Sequence, residues 1–235
     1  MKQPPDQACA DYILATLTQA LETNPTATVA ISGGSSPRPM FQRFAQTPFP
    51  WDRVHLFWVD ERAVPPTDAE SNFKLANDTW LTPGNFPKQN IHRIQAELEP
   101  HQAAERYIHE IREHFHLKDA EIPVFDVIHQ GMGPDGHTAS LFPGEPLINL
   151  RTGVAAAVFA EKFKQWRITL LPAVLIAARH TAMLVTGADK APALRAVLDG
   201  DYDPLHWPTQ VVSRNAPDVA WFLDESLSAL APRTK

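Results

Sequence analysis

One cysteine, Cys9, stands in a chain of 235 residues, so no intramolecular disulfide and no cysteine-rich metal site is open to it. A run of about 18 apolar residues is also missing, and with it any expectation of a transmembrane helix. The opening stretch MKQPPDQACADYILATLTQALE lacks the unbroken apolar core of a signal peptide. Asp11, Thr16 and Gln19 interrupt it in the manner of an amphipathic helix. A cytoplasmic location follows as the default, with no membrane partner. Cationic clusters are absent too: 21 Lys and Arg are scattered among 27 Asp and Glu, for a net charge of −6. That excludes a basic face for nucleic acid. It leaves room for an anionic small molecule, because a few convergent cations reverse the local sign. No repeat and no long linker divides the chain, and its 22 prolines punctuate it without forming a tract. Residues 1–235 therefore read as a single domain.

What is present is an alternation of apolar runs and amphipathic segments. Helices are expected at 6–22, from Pro37 to about Ala45, at 71–81 behind a Ser71 cap, near 100–116, at 172–179 and at 190–200. Strands are expected at 28–33, 54–61, 124–130, 167–171 and 180–187, with 209–214 as a further candidate. This pattern predicts an α/β fold, Rossmann-like, with a mostly parallel sheet covered by helices on both faces. In such folds ligands bind beyond the carboxyl ends of the strands.

Four loops at such ends carry chemistry. ISGGSSP (31–37) puts Gly33, Gly34, Ser35 and Ser36 between a strand and a helix, which suits an anion held by backbone N–H groups. An ordinary strand-to-helix turn is the competing reading, and neither a P-loop nor the first Rossmann glycine pattern is present. WVDERAVP (58–65), followed by Ser71 and Asn72, groups Asp60, Glu61 and Arg62. Arg62 suits a phosphate or carboxylate clamp, and a surface ion cluster is the alternative. Asp60, if partly buried, needs Arg62 or backbone donors. GMGPDGHTASLFPG (131–144) joins a Pro-Asp-Gly turn to His137, which opens a first helical turn running up to Pro143. A helix N-terminus would keep His137 neutral, as a general base must be. Asp135 fits two roles, orienting the ring or capping the helix. Last, Arg167 precedes a strand and Lys190 opens a helix, an unfavourable place for a cation unless it meets an anion, with a solvated lysine as the alternative.

SGGSSP, DERAVP followed by SN, GMGPDGHTASLFPG, RIT and GADKA occur in one order and at suitable spacings. In them the chain, from its N-terminal helix to about residue 225, resembles the 6-phosphogluconolactonase family of the pentose phosphate pathway. The resemblance implies a fold shared with glucosamine-6-phosphate deaminases and hydrolysis of 6-phosphoglucono-1,5-lactone, a phosphorylated sugar lactone, by a monomer or homodimer. No cofactor and no metal are implied. His137 falls on the general base, with Asp135 beside it. Substrate and phosphate contacts fall on Gly33, Gly34, Ser35, Ser36, Asp60, Arg62, Gly133, Arg167 and Lys190. Three departures stand out: Ser36 for the more usual threonine, His129 and Gln130 for an apolar residue and leucine, and a KFKQW segment without the prolines often found before Arg167. His129 reads as a hydrogen-bonded core histidine if it faces inward, or as a second imidazole near the site if it faces the crevice.

Two other readings compete. A deaminase needs an enolisation base at the DE position and a carboxylate relay close after the histidine. Here Glu145 lies beyond Pro143 and Gly144. A non-catalytic sugar-phosphate-binding regulator would dispense with His137 and would add a DNA-binding helix-turn-helix, for which no segment is seen.

Overall fold

The N-terminal segment forms α1 (Pro5–Thr23), whose first-turn proline needs no N–H and whose Ile13, Leu17 and Leu21 enter the core. In this computed structural model, which describes residues 3–231, the outermost parts of the 1–235 span (1–2 and 232–235) lie outside the described residues. β1 (Ala27–Ile31) is buried at every position, as a central parallel strand must be. There follow α2 (Arg38–Gln46), β2 (Val54–Trp58), β3 (Asp60–Arg62), α3 (Asn72–Ala76), β4 (Ile91–His92), α4 (Pro100–His114) and β5 (Val127–Gln130). The second half contains β6 (Ala155–Ala160), β7 (Gln165–Leu170), α5 (Pro172–Ala177), β8 (His180–Val185), α6 (Ala191–Asp199), α7 (Gln210–Asn215) and β9 (Val219–Leu223).

Six strands form a wholly parallel sheet in the order β4-β2-β1-β5-β8-β9, and β3-β7-β6 form a separate antiparallel sheet. The connection β1–α2–β2 steps one way along the parallel sheet, and β4–α4–β5 steps back across it. Right-handed crossovers therefore put α2 and α4 on opposite faces. The strand order reverses between β1 and β5, which pair directly through Val29↔Val127 and Ala30↔Ile128. That reversal opens a crevice beyond their carboxyl ends, where the loops after Ile31 and after Gln130 emerge.

Two expected strands come out differently. The run 54–61 splits at Val59, whose N–H bonds Ile31 O in the parallel sheet while its carbonyl accepts from Leu170 N in the antiparallel one. The chain changes sheets within one residue. The candidate strand 209–214 is the helix α7. Val211 and Val212 are both buried, and the Gln210 side chain donates to the carbonyls of Ala196 and Asp201. Packing overrides the β preference of the two valines. β6 and β9 were not foreseen; the alanine-rich β6 (AAAVFA) owes its form to full-length pairing with β7.

β4 is so short that it reaches only Leu56 and Phe57 of β2. At Trp58 a side chain stands in for the missing strand: Tyr107 Oη of α4 accepts from Trp58 N (2.9 Å) and donates to Trp58 O (2.7 Å). Both groups are buried, so an unmet bond there is expensive. Tyr107→Phe is expected to lower stability by about 1–3 kcal/mol. Urea unfolding should show a lower midpoint at unchanged slope.

Candidate active site

The loop after β1 is shaped by a neighbour. A Cβ at Gly33 would lie 1.9 Å from Asn72 Oδ1, and Gly34 has φ +98°, so both positions need glycine. Ser36 Oγ bridges to Thr186 Oγ1 of the loop after β8 at 2.7 Å, tying two strand-end loops together.

β3 decides the second loop. Its antiparallel register with β7 sets Asp60 opposite Thr169 and Arg62 opposite Arg167. Like charges directly across a strand pair destabilise it. Here both guanidinium groups also keep a buried Nε with no partner among the described residues. Arg167 is nearly buried, and burial lowers its pKa against the opposing pull of Asp60. Such a pair favours an anion between the two side chains. Asp60 and Glu61 are not a surface ion cluster: they are 5% and 2% exposed. Asp60 accepts from Ser140 Oγ (2.6 Å) and Asn72 Nδ2 (3.3 Å), and not, as expected, from Arg62. Glu61 accepts from the backbone N–H groups of Arg62, Asn72 and Phe73 and from Ser71 Oγ. Burial still leaves its pKa raised.

In the third loop no helix begins at His137. Ala139 takes φ +49°, Thr138 bridges Leu141, and Ser140 turns its N–H to Thr169 Oγ1 and its hydroxyl to Asp60, which spends the residues a first turn would use. The helix-dipole argument for His137 therefore falls away, and with it the capping role for Asp135. A carboxylate orients the ring instead: His137 Nδ1 lies 2.5 Å from Asp135 Oδ1, and Lys162 Nζ lies 2.7 Å from Asp135 Oδ2. Burial alone would raise the pKa of Asp135, but the bonds from His137 and Lys162 outweigh it and hold the carboxyl well below its usual range. An ionised Asp135 only accepts, so in the neutral imidazole the proton resides on Nδ1 and the lone pair on Nε2. Gly133 makes room for this ring, since a Cβ there would lie 2.1 Å from it. Gly136, at φ +76°, presents its carbonyl to the N–H and hydroxyl of Thr209 at the start of α7.

Gly33, Gly34, Ser35, Ser36, Asp60, Arg62, Gly133, His137, Arg167 and Lys190 all line one cavity, while Asp135 stands behind His137. Lys190 ends a short turn before α6. Burial lowers its pKa, and Asp189 and Asp224 oppose that shift. His129 also borders the cavity although its side chain is buried. Ser32 N donates to its Nδ1 at 3.3 Å, so its proton sits on Nε2.

A family model described as glucosamine-6-phosphate isomerases/6-phosphogluconolactonase matches residues 3–221. The chain belongs to this family. It is 34% identical over 210 residues to the 6-phosphogluconolactonase of Synechocystis sp. (strain ATCC 27184 / PCC 6803 / Kazusa), covering 89% of this chain and 86% of that one. With the 6-phosphogluconolactonase of Haemophilus influenzae it shares 32% over 229 residues, 95% of each chain. The crystal structure of a 6-phosphogluconolactonase from Thermotoga maritima superposes with a TM-score of 0.81 at 29% identity, covering 95% of this chain and 96% of that one.

Within this member of the glucosamine-6-phosphate isomerase/6-phosphogluconolactonase family, three side chains at the site escaped the sequence reading as contributors. Asn72 donates to Asp60 and turns an otherwise unpartnered Oδ1 toward Gly33. Ser140 holds Asp60, and Lys162 holds Asp135. The SN pair after DERAVP was the visible signal for the first. Lys162 carried none, because the β6–β7 hairpin that presents it was not foreseen.

His129 yields a test of the site's electrostatics. Burial depresses its pKa from 6.5 to about 3. Between these values the unfolded chain binds a proton that the folded chain refuses, so stability falls as pH falls through that window. His129→Gln should flatten the fall below pH ~6 by up to about 1.4 kcal/mol per pH unit, measured by urea unfolding at a series of pH values. An unchanged slope would place the His129 ring in water.

Proposed function

We propose that the chain hydrolyses 6-phospho-D-glucono-1,5-lactone to 6-phospho-D-gluconate, the lactonase step of the oxidative pentose phosphate pathway. His137 acts as general base on water. One observation carries this: an imidazole whose Nδ1 is held by Asp135 borders the same cavity as Arg62 and Arg167, two opposed cations with unmet N–H groups. The first supplies proton transfer, and the second supplies an anion site.

A lactone is an activated ester, so no covalent nucleophile is needed. His137 Nε2 takes a proton from water as its oxygen bonds to C1, and Asp135 stabilises the imidazolium that results. The carbonyl becomes an oxyanion, steadied by loop N–H groups and cationic side chains. As the oxyanion collapses, the bond from C1 to the ring oxygen breaks and the imidazolium returns its proton to that oxygen. The products are the open acid and an unchanged enzyme. The remote phosphate, held by Arg62, Arg167, Lys190 and the Gly33–Ser36 loop, positions C1 and lowers the entropic cost of attack. A cytoplasmic location, no nucleic-acid partner, one domain, and a monomer or homodimer belong to the same reading.

The deaminase reading is weaker. Asp60, which it would use as enolisation base, already accepts from Ser140 and Asn72, and Glu145 turns its carboxylate to Leu147 N at the start of a short turn. Freshly generated 6-phosphogluconolactone should be hydrolysed well above its spontaneous rate, and ammonia release from glucosamine 6-phosphate would overturn the assignment.

His137→Ala should lower kcat by about 10²–10⁴-fold with the fold intact. Arg167→Gln should raise KM for the phosphorylated lactone by about 10–100-fold, the loss of one or two charge-assisted bonds. Plain gluconolactone serves as comparator, since its KM should hardly move. Equal effects of Arg167→Gln on both lactones would remove the phosphate role.

A further inference from the structure

At the amino-terminal end of β2, away from the strand ends that build the active site, three half-buried histidines converge. His55 comes from β2, His92 from the edge strand β4 and His114 from the last turn of α4. One ring nitrogen from each lies within 4.8 Å of the others. We propose that these three imidazoles bind a divalent transition ion of the zinc class, clasping β4 and the end of α4 to β2.

Three observations carry the proposal. First, Glu110 Oε1 lies 2.6 Å from His92 Nδ1. This carboxylate fixes the proton on Nδ1 and turns the Nε2 lone pair inward, the arrangement that supports metal-bound histidines from behind. Second, that Nε2 is 2.9 Å from His55 Nδ1, a hydrogen bond that an ion would replace by spreading the pair about 0.5 Å. Third, the three side chains are only partly buried, which leaves a path for the ion and a fourth position for water.

Geometry permits closure. Tetrahedral zinc with Zn–N bonds of about 2.05 Å sets its nitrogens about 3.4 Å apart. From 4.8 Å this is a closing of about 1.4 Å at most, within reach of side-chain rotation. A purely aromatic role accounts for less. His92 does stack on Phe57, with centroids 4.3 Å apart and planes 7° from parallel. Stacking uses the face of the ring, whereas Nε2 coordinates in its plane, so both can hold at once. Softness of the donors argues for zinc, nickel, cobalt or copper over magnesium or calcium.

Chelator-treated protein titrated calorimetrically with zinc chloride should bind one ion per chain, with a rise in Tm. His114→Gln and Glu110→Gln should each weaken binding by about 10–100-fold. Cobalt(II) should give the visible bands of a tetrahedral site in the wild-type chain and lose them in His114→Gln. His137→Gln should keep the metal, which separates this site from the active-site histidine and makes the result independent of the lactonase reading. Absence of saturable binding up to millimolar zinc would overturn the proposal. So would unchanged affinity in a folded His55→Gln/His114→Gln double variant, or loss of binding in His137→Gln. If the double variant does not fold, the cobalt spectrum of the wild-type chain decides, and octahedral bands would be the overturning result.

Discussion

One residue serves two sheets. The N–H of Val59 closes the parallel ladder on Ile31 and its carbonyl opens the antiparallel ladder with Leu170. Everything at the active site that comes from β3 and β7 depends on that hand-over. Had β2 simply continued, residues 60–62 would have run past the end of β1 without partners. Because the chain changes sheets, Asp60 turns toward Ser140 of the third loop and Arg62 lies across from Arg167. A second sheet thereby forms a wall over the crevice that the first sheet's strand reversal creates.

Burial makes that wall demanding. Asp60, Glu61, Asn72, His129, Ser140 and Arg167 are all less than a tenth exposed. In a low-dielectric setting each polar group must be matched or it destabilises the fold. Most are matched, Glu61 by four donors. The groups left without partners among the described residues include Arg62 Nε, Arg167 Nε, Asn72 Oδ1 and His129 Nε2, from residues that line one cavity. Unsatisfied atoms in a well-packed protein tend to mark where a ligand completes the structure. The pattern here is mixed donor and acceptor, as a phosphorylated sugar derivative would require.

Much of this was legible in the amino-acid order. Apolar-rich runs followed within two residues by glycine located β1, β5 and β8, since a parallel strand buried on both faces has no regular polar alternation. The residues expected to meet substrate also come together in one cavity. What failed did so for local reasons. His137-Thr-Ala-Ser-Leu-Phe has a helix's outline, yet the Thr138 and Ser140 hydroxyls donate to Gln130 and Asp60, the Ser140 N–H donates to Thr169 Oγ1, and the turn stays open. Val211 and Val212 suggest a strand, but α5 and α6 offer a surface that a short helix covers. Lys162 was invisible because its partner Asp135 is 27 residues away across a hairpin of weak β preference.

The order of residues by itself determined the fold class, the family and the chemical inventory, because strand burial, glycine turns and the identities of His137, Arg62 and Arg167 are local properties. Tertiary structure alone decided how that inventory acts. Which nitrogen of His137 holds the proton depends on a carboxylate placed by a turn. Whether two arginines oppose each other depends on an antiparallel register. Whether His55, His92 and His114 meet depends on an edge strand and a helix end, 37 and 59 positions from His55. Sequence spacing carries none of these distances, since each is set by how separate elements pack.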